Sequence, residues 1–139
     1  MPKDFVVDAS IVMSWCFKDE ANRYTDAILD ILTEATAYVP SVWPLEIGNV
    51  ILVAERRKRL NKADSTRFLG LLAELPIVIT PEPPGRMMNE ILVLAREQKL
   101  STYDASYLDL AMRMGLPLAT LDRELSAAAR RTHTPTVGV

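Results

Sequence analysis

Two hydrophobic rhythms alternate along this chain. Short apolar runs with β-branched character occur at Phe5-Val6-Val7, Tyr38-Val39, Ile77-Val78-Ile79, Leu118-Ala119 and near Val137, each flanked by turn residues or charges. They read as buried strands. Between them the apolar residues take helical spacing: Tyr24, Ala27, Ile28, Ile31 and Leu32 form one stripe, Phe68, Leu71, Leu72 and Leu75 a second, and Met88, Ile91, Leu92 and Ala95 a third. A chain that switches repeatedly between these periods predicts a three-layer α/β/α sandwich around a mostly parallel, five-stranded sheet.

Punctuation agrees. Pro44 suits the first turn of a helix expected to end near Leu60, the run Pro81, Pro83, Pro84, Gly85 breaks the chain after the third strand, and Gly115 and Pro117 separate a helix from the fourth. The 139 residues, without a low-complexity tract, predict one compact domain over 1–139. Hydrophobic residues at 49% and charged residues at 24% exclude a disordered chain. No run approaches the length of a membrane span, and MPKDFVVDAS carries a charge inside its apolar stretch, so a cytoplasmic protein is expected. One cysteine, Cys16, cannot make an internal disulfide, and one histidine, His133, cannot build a zinc site. Any metal must be held by oxygen, which favours magnesium or manganese.

In parallel sheets of this kind ligands bind beyond the carboxyl ends of the strands. Asp8 ends the first apolar run and Asp122 follows the fourth, which brings both to one edge. Glu46, after Pro44, and Asp104, after Ser101, each lie in a first helical turn, and periodicity alone leaves open whether those turns face the same edge. Singly, each acid has a plainer reading. Asp8 (or Ser10) and Asp122 suit N-caps, Ser101 with Asp104 suits a capping box, and Glu46 complements a helix dipole.

Taken together, VVDASIVMSW, VPSVWPLEIGNVI, TYDASYLDLA and PLATLDREL, in this order, resemble the four acidic motifs of the PIN-domain ribonucleases, most closely the VapC toxins of VapBC toxin-antitoxin pairs. The resemblance implies a magnesium-dependent endoribonuclease acting on RNA, a cognate VapB-like antitoxin, a homodimer, and one pocket holding Asp8, Glu46, Asp104 and Asp122. On it, Asp8 and Asp104 are the expected direct metal ligands, and Glu46 and Asp122 complete the shell directly or through water; one ion or two is left open. Ser10, Asn49 and Thr120 are candidates to orient the carboxylates, although a cap, an exposed polar residue and a strand former are equally ordinary readings. Asp109, about 140° around the helix from Asp104, is expected in solvent.

A net charge of -2 sits poorly with a nucleic-acid partner until four of the 18 acids are assigned to metal, which leaves 14 against 16 Lys and Arg, about +2 elsewhere. The run Arg56, Arg57, Lys58, Arg59 reads first as a solvated helix end and second as an RNA contact. Trp15 and Trp43 could stack on bases, but their apolar surroundings favour core or interface. Other classes were weighed. Phosphoacceptor receivers and haloacid-dehalogenase-like phosphatases also place an aspartate after the first strand; the phosphatases want a second Asp where this chain has Ser10, and receivers want paired acids before the strand. A PIN nuclease working without an antitoxin and a non-catalytic binding domain complete the alternatives.

Overall fold

A computed structural model describes residues 3–138. Four strands, β1 (Phe5–Val7), β2 (Ala37–Pro40), β3 (Ile77–Thr80) and β4 (Leu118–Ala119), form one sheet in the order β3-β2-β1-β4 among the described residues. Every pairing is parallel. The central β1 has all three side chains fully buried, so both faces are covered, as the uninterrupted apolar run required.

Helices supply that cover. α1 (Ala9–Cys16) packs on α2 (Arg23–Ile31) and α3 (Trp43–Arg56), with a 3₁₀ turn, Lys18–Glu20, between α1 and α2. After α4 (Lys62–Ala73) and β3, α5 (Pro84–Met88) and α6 (Glu90–Gln98) lead to α7 (Thr102–Met114), which lies against β1, β2 and β4 and carries α6 and α8 (Arg123–Arg131) on its flanks. Phe5, Ile11, Ile28, Leu108, Leu110, Leu118 and Leu125, each wholly buried, bring sheet and helices into one core. α1, α3 and α8 each begin within four residues of a strand end. Their N-termini therefore stand at the carboxyl edge of the sheet, which answers for Glu46 the orientation that periodicity left open.

Several boundaries differ from the sequence reading. The fifth strand expected near Val137 is only an isolated parallel bridge, Leu118 to Thr136, because Pro135 offers a carbonyl but no N–H. Three backbone and side-chain bonds still hold this tail: Leu118 N–H donates to Pro135 O (2.9 Å), Val137 N–H to Leu118 O (2.9 Å) and the Tyr24 hydroxyl to Val137 O (2.8 Å). The helix expected to reach Leu60 stops at Arg56, since Lys58 turns into the left-handed region at φ 62° and Arg59 N–H bonds back to Ala54 O. The stripe from Met88 to Ala95 is split at Asn89, whose φ of -122° and ψ of -85° leave the helical region, and Met88 is exposed.

Candidate active site

Asp8 leaves β1 and enters α1 as its N-cap, accepting from Ile11 N–H at 3.3 Å. Its carboxylate is only 4% exposed, and two hydroxyls hold it. Ser10 Oγ donates to Oδ1 at 2.5 Å, and Thr120 Oγ1, arriving from the end of β4, donates to Oδ2. Both hydroxyls also accept from the strand-end backbone, Ser10 from Leu121 N–H (3.0 Å) and Thr120 from Asp122 N–H (2.9 Å). The two ends of the chain are thus stitched together around one carboxylate. Asp122 in turn caps α8, accepting from Leu125 N–H at 2.9 Å. Capping and a place at the site coexist in both residues.

Glu46 lies in the first turn of α3, half-buried, and Oε1 accepts from the Tyr107 hydroxyl at 2.7 Å. Asp104, in the first turn of α7, has its N–H capped by Ser101 Oγ at 3.0 Å.

Electrostatics ties the group together. Burial pushes the Asp8 carboxyl up to about 6 from an ordinary 3.8; the donated hydrogen bonds pull it back, and the Asp104 charge adds to the rise. Burial also raises Glu46, with Asp104 again adding, and raises Asp104, with Asp122 and Glu124 adding. The Asp104 charge thus reaches both Asp8 and Glu46. Tyr107, wholly buried and beside Glu46, has its hydroxyl driven far upward by burial and by that carboxylate, so it remains a donor.

The donor set is all hard oxygen and carries mutual repulsion that a divalent cation relieves, so these residues suit magnesium or manganese in kind. Among the described residues no three carboxylates converge closely enough to enclose an ion unaided. Magnesium does not require that, since it keeps several waters and takes one or two carboxylates together with substrate phosphate.

Grooves open on both sides. One of about 390 Å³ runs past Val42, Leu45, Glu46, Asn49 and Tyr103, and another of about 510 Å³ past Tyr24, Thr120, Asp122, Arg123 and Arg130. Of the candidate supporting residues, Ser10 and Thr120 touch Asp8 directly, whereas Asn49 lies exposed in the first groove without a hydrogen bond to a carboxylate. Arg56–Arg59 lie away from the acids: Arg59 pairs with Asp19 and Glu20 at 3.1 Å and stacks over Phe17 at 4.1 Å. Trp43 is buried and Trp15 donates to Thr25 O at 2.8 Å, so both serve packing.

The expectation for Asp109 was wrong. It is 8% exposed, because Arg86, reaching over from α5 (2.5 Å), and Arg113, one turn on along α7 (2.9 Å), both bond its carboxylate. Glu82 bridges the same two arginines, closing a ring of four charges. Tyr107 was also missed, although its place three residues after Asp104 puts it near the same helical face.

The PIN domain family matches residues 5–131. A Pyrobaculum aerophilum protein named Exonuclease VapC9 is 32% identical over 133 residues, spanning 94% of this chain and 89% of the relative. Ribonuclease VapC3 of the same organism is 25% identical over 130 residues, spanning 94% and 98%. Among solved structures, PAE2754 from Pyrobaculum aerophilum is similar with a TM-score of 0.69 at 27% identity, over 92% of this chain and 86% of that one. FitAcB from Neisseria gonorrhoeae, at 19% identity and a TM-score of 0.56 over 96% of each chain, shares the fold.

Proposed function

The chain belongs to the PIN-domain family, and from that premise we propose that it is a magnesium- or manganese-dependent endoribonuclease, the toxin of a toxin-antitoxin pair. The observation that supports the reading is Asp8, buried at the carboxyl end of β1 in a PIN-family chain and held by the hydroxyls of Ser10 and Thr120, with Asp104 near enough to raise both its carboxyl and that of Glu46. Its two named relatives both bear the VapC name, one as an exonuclease and one as a ribonuclease. Internal cleavage is proposed on the resemblance to the PIN ribonucleases, with one groove past Glu46 and another past Asp122 to take the strand.

In this reading Asp8 and Asp104 hold the ion, with Glu46 and Asp122 completing its surroundings directly or through water. An ion held there would supply charge stabilisation at the phosphate and a more acidic water at neutral pH. Ser10 and Thr120 fix the Asp8 rotamer, and the Tyr107 hydroxyl fixes Glu46. Arg123 and Arg130, lining the groove beside Asp122, attract the phosphate backbone. A VapB-like antitoxin is the proposed partner and a homodimer the proposed assembly, each checked by sedimentation of the protein alone and with the product of a neighbouring small gene.

A circular single-stranded RNA supplies the test. With magnesium or manganese the protein linearises it; EDTA or Asp8→Asn stops the reaction while circular dichroism stays unchanged. An intact circle alongside shortened linear RNA makes the enzyme an exonuclease, and full activity of Asp8→Asn removes the assigned site.

A further inference from the structure

The last helix divides its charges unevenly. α8 buries Leu125, Ala128 and Ala129 in the core, which leaves its polar residues on two outward strips. On one strip Arg131 is committed to α6: its Nε donates to Gln98 Oε1 at 2.8 Å and a terminal nitrogen donates to Gln98 O at 3.2 Å. On the other, Arg123, Ser126 and Arg130 follow at i, i+3 and i+7, the spacing that keeps side chains on one helix face. All three line the groove of about 510 Å³ that also takes in Thr120 and Asp122, the first of which bonds Asp8.

Neither Arg123 nor Arg130 forms an ion pair with a carboxylate among the described residues, although Asp122 and Glu124 flank Arg123 in sequence. Arg130, in the last turn, complements the helix dipole, but Arg123, in the first turn, opposes it, so the stability of the helix does not account for the pair. Among the described residues Asp122 is the one acid in the lining of this groove, and beyond it the wall is cationic. Along the helix axis Ser126 lies roughly 4.5 Å past Arg123, and Arg130 roughly 6 Å past Ser126. With the reach of the side chains, these steps suit the interval between successive phosphates of an extended strand. The short Ser126 between two long cations lets a backbone lie close to the helix.

We infer that this face of α8 is a phosphate track, holding three successive phosphates of single-stranded RNA on one side of the cut bond. Arg123 takes the nearest, Ser126 the next and Arg130 the farthest. The inference rests on the ribonuclease reading and gives it a substrate register. The two guanidiniums form charge-assisted bonds to phosphate oxygens and the hydroxyl a neutral one, contacts that position a strand without reading its bases.

The test is a set of single-stranded RNA decamers around one cut site, each with a single uncharged methylphosphonate linkage, moved one position at a time. Each rate of cleavage in magnesium is divided into that of the unmodified decamer. The expected profile has, on one side of the cut, two penalties of about tenfold set two linkages apart, with a smaller one between them. In Arg130→Gln the outer penalty falls towards one and the inner stays; in Arg123→Gln the inner falls and the outer stays. Arg130→Lys, which keeps the charge, keeps most of the outer penalty. A ratio within one variant cancels any general loss of activity or folding, and arginines that only support the helix would leave both penalties in place. A profile without the paired penalties overturns the inference, as do penalties that neither glutamine variant changes. If the two arginines serve an acidic protein segment instead, the paired penalties are absent. Should the wild-type protein cut no RNA, the ribonuclease reading fails by itself, and anisotropy of the same labelled decamers in magnesium decides the track: a position-specific loss of affinity that Arg130→Gln erases supports it, and none ends it.

Discussion

Asp8 is held at a cost to the fold. Its carboxyl sits about two pH units above its ordinary value because burial outweighs three donated hydrogen bonds, equivalent to about 3 kcal/mol when it is ionised without a counter-charge. Asp8→Asn is therefore expected to raise the metal-free melting temperature by several degrees while lowering RNA cleavage at least a hundredfold, measured by scanning calorimetry and initial rates. A variant less stable than wild type at pH 7.5 would contradict the burial argument. Tyr107→Phe removes a single oxygen from a fully buried ring and leaves the Glu46 carboxylate without its donor. Its expected signature is a ten- to a hundredfold weaker manganese affinity by calorimetric titration with near-native stability. Glu46 and Asp104 had only the motif resemblance to place them, while the strand-end positions of Asp8 and Asp122 were legible because each closes an apolar run. Tyr107 and Glu82 were not, since their partners come from other elements.

At the scale of elements, α7 joins the site to the scaffold. Its first turn carries Asp104, its middle carries Tyr107, and its later turns carry Asp109 and Arg113 into the ring with Glu82 and Arg86. Asp109→Ala leaves two arginines, each about a third exposed, facing one remaining carboxylate. A loss of about 2 kcal/mol is expected, below the full cost of breaking a buried pair because water reaches both arginines. Arg59→Ala, which breaks a largely exposed cluster, is expected to cost less than about 1 kcal/mol. Urea titrations of both variants check the ranking. The four strands were legible because each is a short apolar run bounded by turns. The end of α3 and the break at Asn89 were not, because both are local turns, closed by Arg59 N–H to Ala54 O and Asn89 Nδ2 to Gly85 O, that no glycine or proline marks at the turning residue. The burial of Asp109 likewise depended on Arg86, which comes from another helix.

For the whole molecule, burial and mutual repulsion shift Asp8, Glu46 and Asp104 in one direction. A carboxyl whose folded value is raised lends stability that is complete below its ordinary 3.8 and is lost as pH rises through about 6 for Asp8. So far as these acids govern it, metal-free protein is expected to melt several degrees lower at pH 7.5 than at pH 5, and millimolar manganese to close the gap. Thermal scans across that range, with and without the ion, measure it, and a gap that manganese leaves untouched would detach the acids from metal binding. Truncation after Thr134 removes the tail bonds to Leu118 and Tyr24 and should cost a few kcal/mol by the usual worth of such bonds. The bond from Thr120 to Asp8 spans 112 positions. A chain still on the ribosome therefore leaves its first carboxylate without this hydroxyl until nearly the whole of it has been translated.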